Sequence, residues 1–230
     1  MKIVNLFFII SIFFTFSSLS DETTSWVLLK EGGKVVFIRH AYAPGGGDPN
    51  NFELYDCSTQ RNLNEQGINQ SKRMGILFSK YSIPIDSVYS SDWCRCKETA
   101  HLAFGNFESL SALNSTFSAD YQKNHSTQLY ELNQFIKNWD DSQGNLIFVT
   151  HYVIVGGFRD YYPSSGEMVI TDKSLSVCPG VSNICQSAKP GITSPSTSSI
   201  SGLSFREYQR LHLGLRIRFA IQRAKIKSVR

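Results

Sequence analysis

Two short runs constrain the fold of this chain more than any other feature: Lys34-Val35-Val36-Phe37-Ile38 and Asn145-Leu146-Ile147-Phe148-Val149. Each is nearly continuous in β-branched, aromatic and other apolar residues, the pattern of a strand buried on both faces. Each empties into a histidine, through Arg39-His40 after the first run and Thr150-His151 after the second. In α/β sheets ligands gather beyond the carboxyl ends of the strands. Both histidines therefore stand where chemistry is expected.

The punctuation between these runs alternates helices with strands. Residues 25–31 read as a short helix closed by Gly32-Gly33. Asn64 can cap a helix running to about Tyr81, with apolar spacing at Ile68, Met74, Leu77 and Phe78. Ser87-Val88-Tyr89 reads as a strand, residues 93–104 as a second helix, 122–139 as a third, and Met168–Thr171 as a last strand. The expected fold is α/β, a three-layer sandwich with a mostly parallel central sheet flanked by helices.

The chain of 230 residues carries a formal charge of +4, which would invite a nucleic-acid partner if it were spread evenly. It is not. Residues 203–230 hold eight Lys/Arg against one Glu, and Lys2 stands alone near the N-terminus, so residues 21–202 sit at −4. No nucleic-acid partner is expected for the body. The basic tail, 203–230, suits a solvated end or a weak contact with an anionic membrane surface. Residues 173–202, rich in Ser, Thr, Pro and Gly, read as a linker. At the other end, Met1-Lys2, the apolar stretch to Phe16 and the small residues Ser18 and Ser20 fit a cleavable export signal over 1–20. The expected location is secreted or periplasmic, with the functional domain over 21–172.

A third segment joins the two strand exits. Ser90-Ser91-Asp92-Trp93-Cys94-Arg95-Cys96-Lys97-Glu98-Thr99-Ala100 opens the helix after the second strand. With Arg39-His40 and His151, in this order, it resembles the histidine phosphatase superfamily, the phosphoglycerate-mutase-like enzymes. The family's Arg-His-Gly stands here as Arg39-His40-Ala41, its Ser-x-x-x-Arg-x-x-x-Thr-Ala runs intact from Ser91 to Ala100, and its late histidine is His151. Leu63-Asn64-Glu65-Gln66-Gly67 with Gln70 looks like the family's helix opening. The likeness spans about Val35 to Ile170 and extends to exported bacterial members such as the lipopolysaccharide core heptose phosphatase.

The residue types make chemical sense without the family. An imidazole nitrogen is a competent nucleophile near neutral pH, so His40 can accept a phosphoryl group and split the transfer into two easier steps. The transferring group spreads negative charge over three oxygens, which cationic clamps stabilise. Arg39 and Arg95 offer forked donors matched to phosphate, and His151 would hydrogen-bond the same oxygens. The resemblance implies a phosphohistidine intermediate hydrolysed by water, with no metal or other cofactor. It also brings the Cys57 loop to the Arg95 helix, and disulfides persist in oxidising compartments, so Cys57 is expected to pair with Cys94 or Cys96.

Departure of the leaving group needs a general acid. The mutase-like branch uses a Glu in a Leu-Asn-Glu segment, but here the segment reads Leu113-Asn114-Ser115. Asp120 is the first substitute, with Glu108 and Asp48 as alternatives. Gly45-Gly46-Gly47 reads as a flexible site rim, and His101 and His125 as structural histidines. The sequence therefore predicts an exported phosphatase acting on small-molecule or glycan phosphate monoesters. Its rivals are a phosphomutase and a non-catalytic module that binds phosphate or phosphoglycan.

Overall fold

The structure is a computed structural model and describes residues 25–176 and Cys178. The expected signal at 1–20, nearly all of the linker and the basic tail lie outside the described residues. No helix among the described residues is long and apolar enough to cross a membrane.

The sheet has five strands: β1 (Val35–Arg39), β2 (Ile85–Ser90), β3 (Glu108–Ser109), β4 (Asn145–Thr150) and β5 (Met168–Thr171). Their order is β3-β2-β4-β1-β5. The β1–β4, β2–β4 and β2–β3 pairs are parallel, and β5 joins β1 antiparallel at the edge. Helices are α1 (residues 25–31), α2 (Glu65–Lys80), α3 (Cys94–Phe104), α4 (Ala119–Gln122), α5 (His125–Asn138) and α6 (Tyr152–Arg159). This is the expected mostly parallel α/β sandwich.

Side-chain alternation builds the three layers, because successive residues of a strand face opposite sides. Val36 and Ile38 of β1, with Ile147 and Val149 of β4, pack beside Met74 and Phe78 of α2 and Cys96 and Ala100 of α3. Val35 and Phe37, with Leu146 and Phe148, pack beside Leu132 and Ile136 of α5 and Val153, Ile154 and Val155 of α6. Both faces of the central pair are dry, as their continuous apolar runs require. Asn64 caps α2 as expected, its side chain accepting from Gly67 N at 3.0 Å.

Three features depart from the sequence expectation. Of the helix expected over 122–139, the structure forms α5 from His125 onward, while Gln122 ends the separate four-residue helix α4, with Lys123 and Asn124 between the two. Tyr121 packs against the core that contains Trp93, whereas Leu132 and Ile136 face the opposite core, so one straight helix cannot serve both. Residues 152–159 form a helix that the β-branched Val153-Ile154-Val155 run conceals. The two-residue strand β3 is too short to leave a periodic trace.

Candidate active site

Main-chain bonds tie the strand exits together. His40 N donates to Thr150 O at 2.9 Å, and Ser91 N donates to Val149 O at 3.0 Å. His40, His151 and Arg95 are 1%, 2% and 3% exposed, so the sheet delivers all three into one nearly dry spot. The His40 and His151 ring centroids lie 5.4 Å apart.

His40 has a defined tautomer. Its Nδ1 lies 2.8 Å from Ala41 O, and a carbonyl only accepts, so Nδ1 carries the hydrogen. Nε2 keeps its lone pair and accepts from Arg95 Nε at 3.3 Å. Burial, then the charges of Arg95 and Arg39, hold the His40 pKa well below the usual histidine value. The imidazole is neutral at pH 7, with its unprotonated nitrogen aimed at a guanidinium. Ala41, where the family has Gly, is buried at a negative φ and needs no glycine.

His151 is fixed from the other side. Asn114 Oδ1 accepts from Asp92 N at 2.7 Å while Asn114 Nδ2 donates to Asp92 Oδ2 at 2.8 Å, which sets the amide's orientation. Ser91 Oγ donates to Asn114 Oδ1 at 3.1 Å and accepts from Trp93 N at 3.3 Å. Ser91 has one hydroxyl hydrogen, so the 3.0 Å contact with His151 Nε2 is a bond that Ser91 accepts. Nδ1 of His151 is then the nitrogen left for a ligand. The buried Cys96 thiol lies 3.4 Å from the same Nε2, and burial pushes its pKa up to about 12. It is a neutral neighbour.

Arg39 lies over the Tyr152 ring, 4.9 Å from its centroid, and donates to Pro163 O at 2.8 Å. Its charge reaches both histidines. A third arginine joins the cluster without having been expected. Arg61 donates through Nη1 to Ala43 O, and its own carbonyl accepts from Arg95 Nη1 at 3.4 Å. Burial, then the charge of Arg95, pushes its pKa down to about 10. The sequence clue was its place two residues before Leu63 in the segment that opens α2.

Of the three candidate acids, the structure brings Asp48 to this cluster. Its carboxylate takes both ends of the Arg95 fork, at 2.7 and 3.2 Å, and accepts from Trp93 Nε1 at 3.0 Å and Arg61 N at 3.1 Å. Burial pushes the Asp48 carboxyl up, but the charge and hydrogen bonds of Arg95 outweigh it and hold the pKa below the usual value. Asp120 is exposed on the four-residue helix α4, and Glu108 is exposed on β3. Among the described residues no hydrogen bond or ion pair joins either to the histidines or arginines. Ser115 is buried, with Oγ accepting from Phe117 N at 3.4 Å.

The expected bridge forms between Cys57 and Cys94, while Cys96 stays a free, buried thiol. The bridge fastens the loop carrying Asp48 and Arg61 to the first turn of the Arg95 helix. Among the described residues no group of three or more His, Cys, Asp or Glu side chains could hold a metal ion.

Residues 35–147 match the family model described as the histidine phosphatase superfamily, branch 1. This part of the chain belongs to the histidine phosphatase superfamily. Solved structures with a similar fold include the product of open reading frame Rv3214 from Mycobacterium tuberculosis, 11% identical, with a TM-score of 0.46 over 60% of this chain and 89% of that one. Another is the protein TTHB049 from Thermus thermophilus, 15% identical, with a TM-score of 0.45 over 63% of this chain and 96% of that one. No curated protein matches the chain significantly. Histidine phosphatase membership supports phosphatase chemistry in general.

Proposed function

We propose that this protein is an exported phosphatase that hydrolyses phosphate monoesters through a phosphohistidine on His40. The observation that carries the reading is the His40 imidazole, neutral, buried and held by Ala41 O so that Nε2 faces Arg95. In this reading Nε2 attacks phosphorus, the bond to the leaving oxygen breaks, and water then cleaves the P–N bond to release inorganic phosphate. Arg95, Arg39 and Arg61 stabilise the charge that the phosphoryl oxygens carry. His151 gains a proton on Nδ1 as the dianion arrives, because a nearby negative charge favours the imidazolium, and donates to a second oxygen. Export is supported by the apolar leader and by the Cys57–Cys94 bridge, since disulfides persist in oxidising compartments.

A second reading, a module that binds phosphate or phosphoglycan without turnover, draws on Ser115, which stands where mutase-like relatives carry the acid. Turnover separates the two. The full chain should release phosphate from p-nitrophenyl phosphate, and His40→Ala should lose that activity. Binding of inorganic phosphate without turnover of any monoester would favour the module.

A further inference from the structure

The Arg95 guanidinium is fully engaged. Nε donates to His40 Nε2, and Nη1 and Nη2 grip the Asp48 carboxylate from two sides. A phosphoryl group on its way to Nε2 needs that same fork, since forked pairing with phosphate is what arginine does best. It can take the fork only in exchange for Asp48. The carboxylate has room to yield. It stands in a stretch without regular structure, directly after Gly45-Gly46-Gly47, where Gly45 and Gly47 occupy positive φ, and its side chain is 16% exposed.

We propose that Asp48 is the proton donor to the leaving oxygen, held on Arg95 as a latch and released from it by the incoming phosphoryl group. The proposal rests on the phosphohistidine reading and gives it the acid that Ser115 cannot supply. Its logic is electrostatic. On Arg95, next to Arg61 and with no second carboxylate among the described residues acting on it, Asp48 is held ionised. Exchanged for a phosphate dianion, it loses the charge that favours ionisation and gains a negative neighbour that opposes it, so it takes a proton from solvent. His40 Nε2 then forms the N–P bond as the P–O bond breaks, and the Asp48 proton passes to the departing oxygen. In the second half the Asp48 carboxylate accepts a proton from the attacking water as the P–N bond breaks. Asp48 then gives that proton back to solvent, and the return of its ionised carboxylate to Arg95 expels inorganic phosphate.

Asp48→Asn keeps one of the two oxygens, enough to accept from Trp93 Nε1 or from Arg61 N but not from both, and removes the charge and the acidic proton. Two substrates read it: glycerol phosphate, a poor leaving group, and p-nitrophenyl phosphate, a good one. The kcat for glycerol phosphate should fall about 100-fold, the ordinary worth of a general acid, while that for p-nitrophenyl phosphate changes by less than about threefold. Inorganic phosphate should bind the variant more tightly, because no carboxylate competes for Arg95. An equal loss on both substrates, or none on either, overturns the assignment, as does a leaving-group-dependent loss confined to Asp120→Asn. If the native protein turns over neither substrate and forms no phosphoenzyme, the phosphatase reading fails and the phosphate-binding arm decides for the latch. Tighter binding by Asp48→Asn supports it, and unchanged or weaker binding ends it.

Discussion

His40 and His151 leave adjacent parallel strands, with His40 N bonded to Thr150 O of the neighbouring strand, in a spot flanked by two apolar cores. Asp48 and Arg61 sit instead on the irregular chain between β1 and α2. That stretch is held by one disulfide, the stacking of Phe52 on Trp93 at 5.4 Å between centroids, and side-chain bonds such as Cys94 N to Gln60 Oε1 at 3.0 Å. The floor is therefore fixed by the sheet, and the rim is fixed by links that can be cut one at a time. In the proposed reaction such a site would keep its nucleophile, His40, rigid while its charged rim yields to a ligand. Arg95 belongs to both, since its helix opens at the floor and carries the rim's disulfide on the preceding residue.

Cutting Arg95 should have the largest effect. Arg95→Ala removes the donor that touches His40 and leaves Asp48 in a positive pocket without its partner. By analogy with the loss of one oxyanion donor, kcat/KM should fall about 1,000-fold, roughly 4 kcal/mol. A loss of tenfold or less would mean that Arg39 and Arg61 alone carry the charge.

The disulfide tests the rim without touching the floor. Cys57 and Cys94 are 37 residues apart, and closing a loop of that size is worth about 4 kcal/mol in the chain-entropy account. Cys57→Ser with Cys94→Ser should lower stability in denaturant melts by about that amount. The folded variant should still label His40, since neither histidine depends on the bridge. Loss of labelling in a variant that remains folded would show that the floor leans on the rim.

Acid probes the floor. Both buried histidines have lowered pKa values, through burial first and the arginine charges second. Below about pH 6.5 the unfolded chain protonates them and the folded chain does not. Stability should therefore fall as pH drops from about 6.5, by up to roughly 2.7 kcal/mol per pH unit for the two together, and level off at the folded pKa values. His40→Asn should remove half of that slope. Asp48 acts only at lower pH, its contribution fading as pH falls through its depressed value. Flat stability between pH 7 and 5 would contradict the buried, neutral floor.

The floor was legible in the sequence and much of the rim was not. Val35 to Ile38 and Leu146 to Val149 are apolar on both faces, are short and are bounded by Gly or polar residues, the pattern of a strand inside a covered sheet. Their histidines inherit the position. The same reading hides α6, because Val153-Ile154-Val155 is β-branched like a strand, yet it is helical and lies in the core that also holds Phe37 and Val169. Asp48 and Arg61 were harder to place because loop residues have no period. Asp120 looked attractive by chain proximity to Ser115. In space Tyr121 docks on Trp93, 5.2 Å between ring centroids, while Asp120 stays in solvent. The choice of Cys94 over Cys96 follows from helix geometry: two residues on, the side chain turns toward the core, where Cys96 meets Ile147 and Val149.

Rapid acid-free quenching of the full chain during turnover of a labelled phosphate monoester, followed by peptide mapping, tests the central claim most directly. The account predicts an acid-labile, alkali-stable phosphoryl group on His40 Nε2, formed by the native protein and absent from His40→Ala. Turnover that survives His40→Ala, or a label found on any other residue, would contradict it.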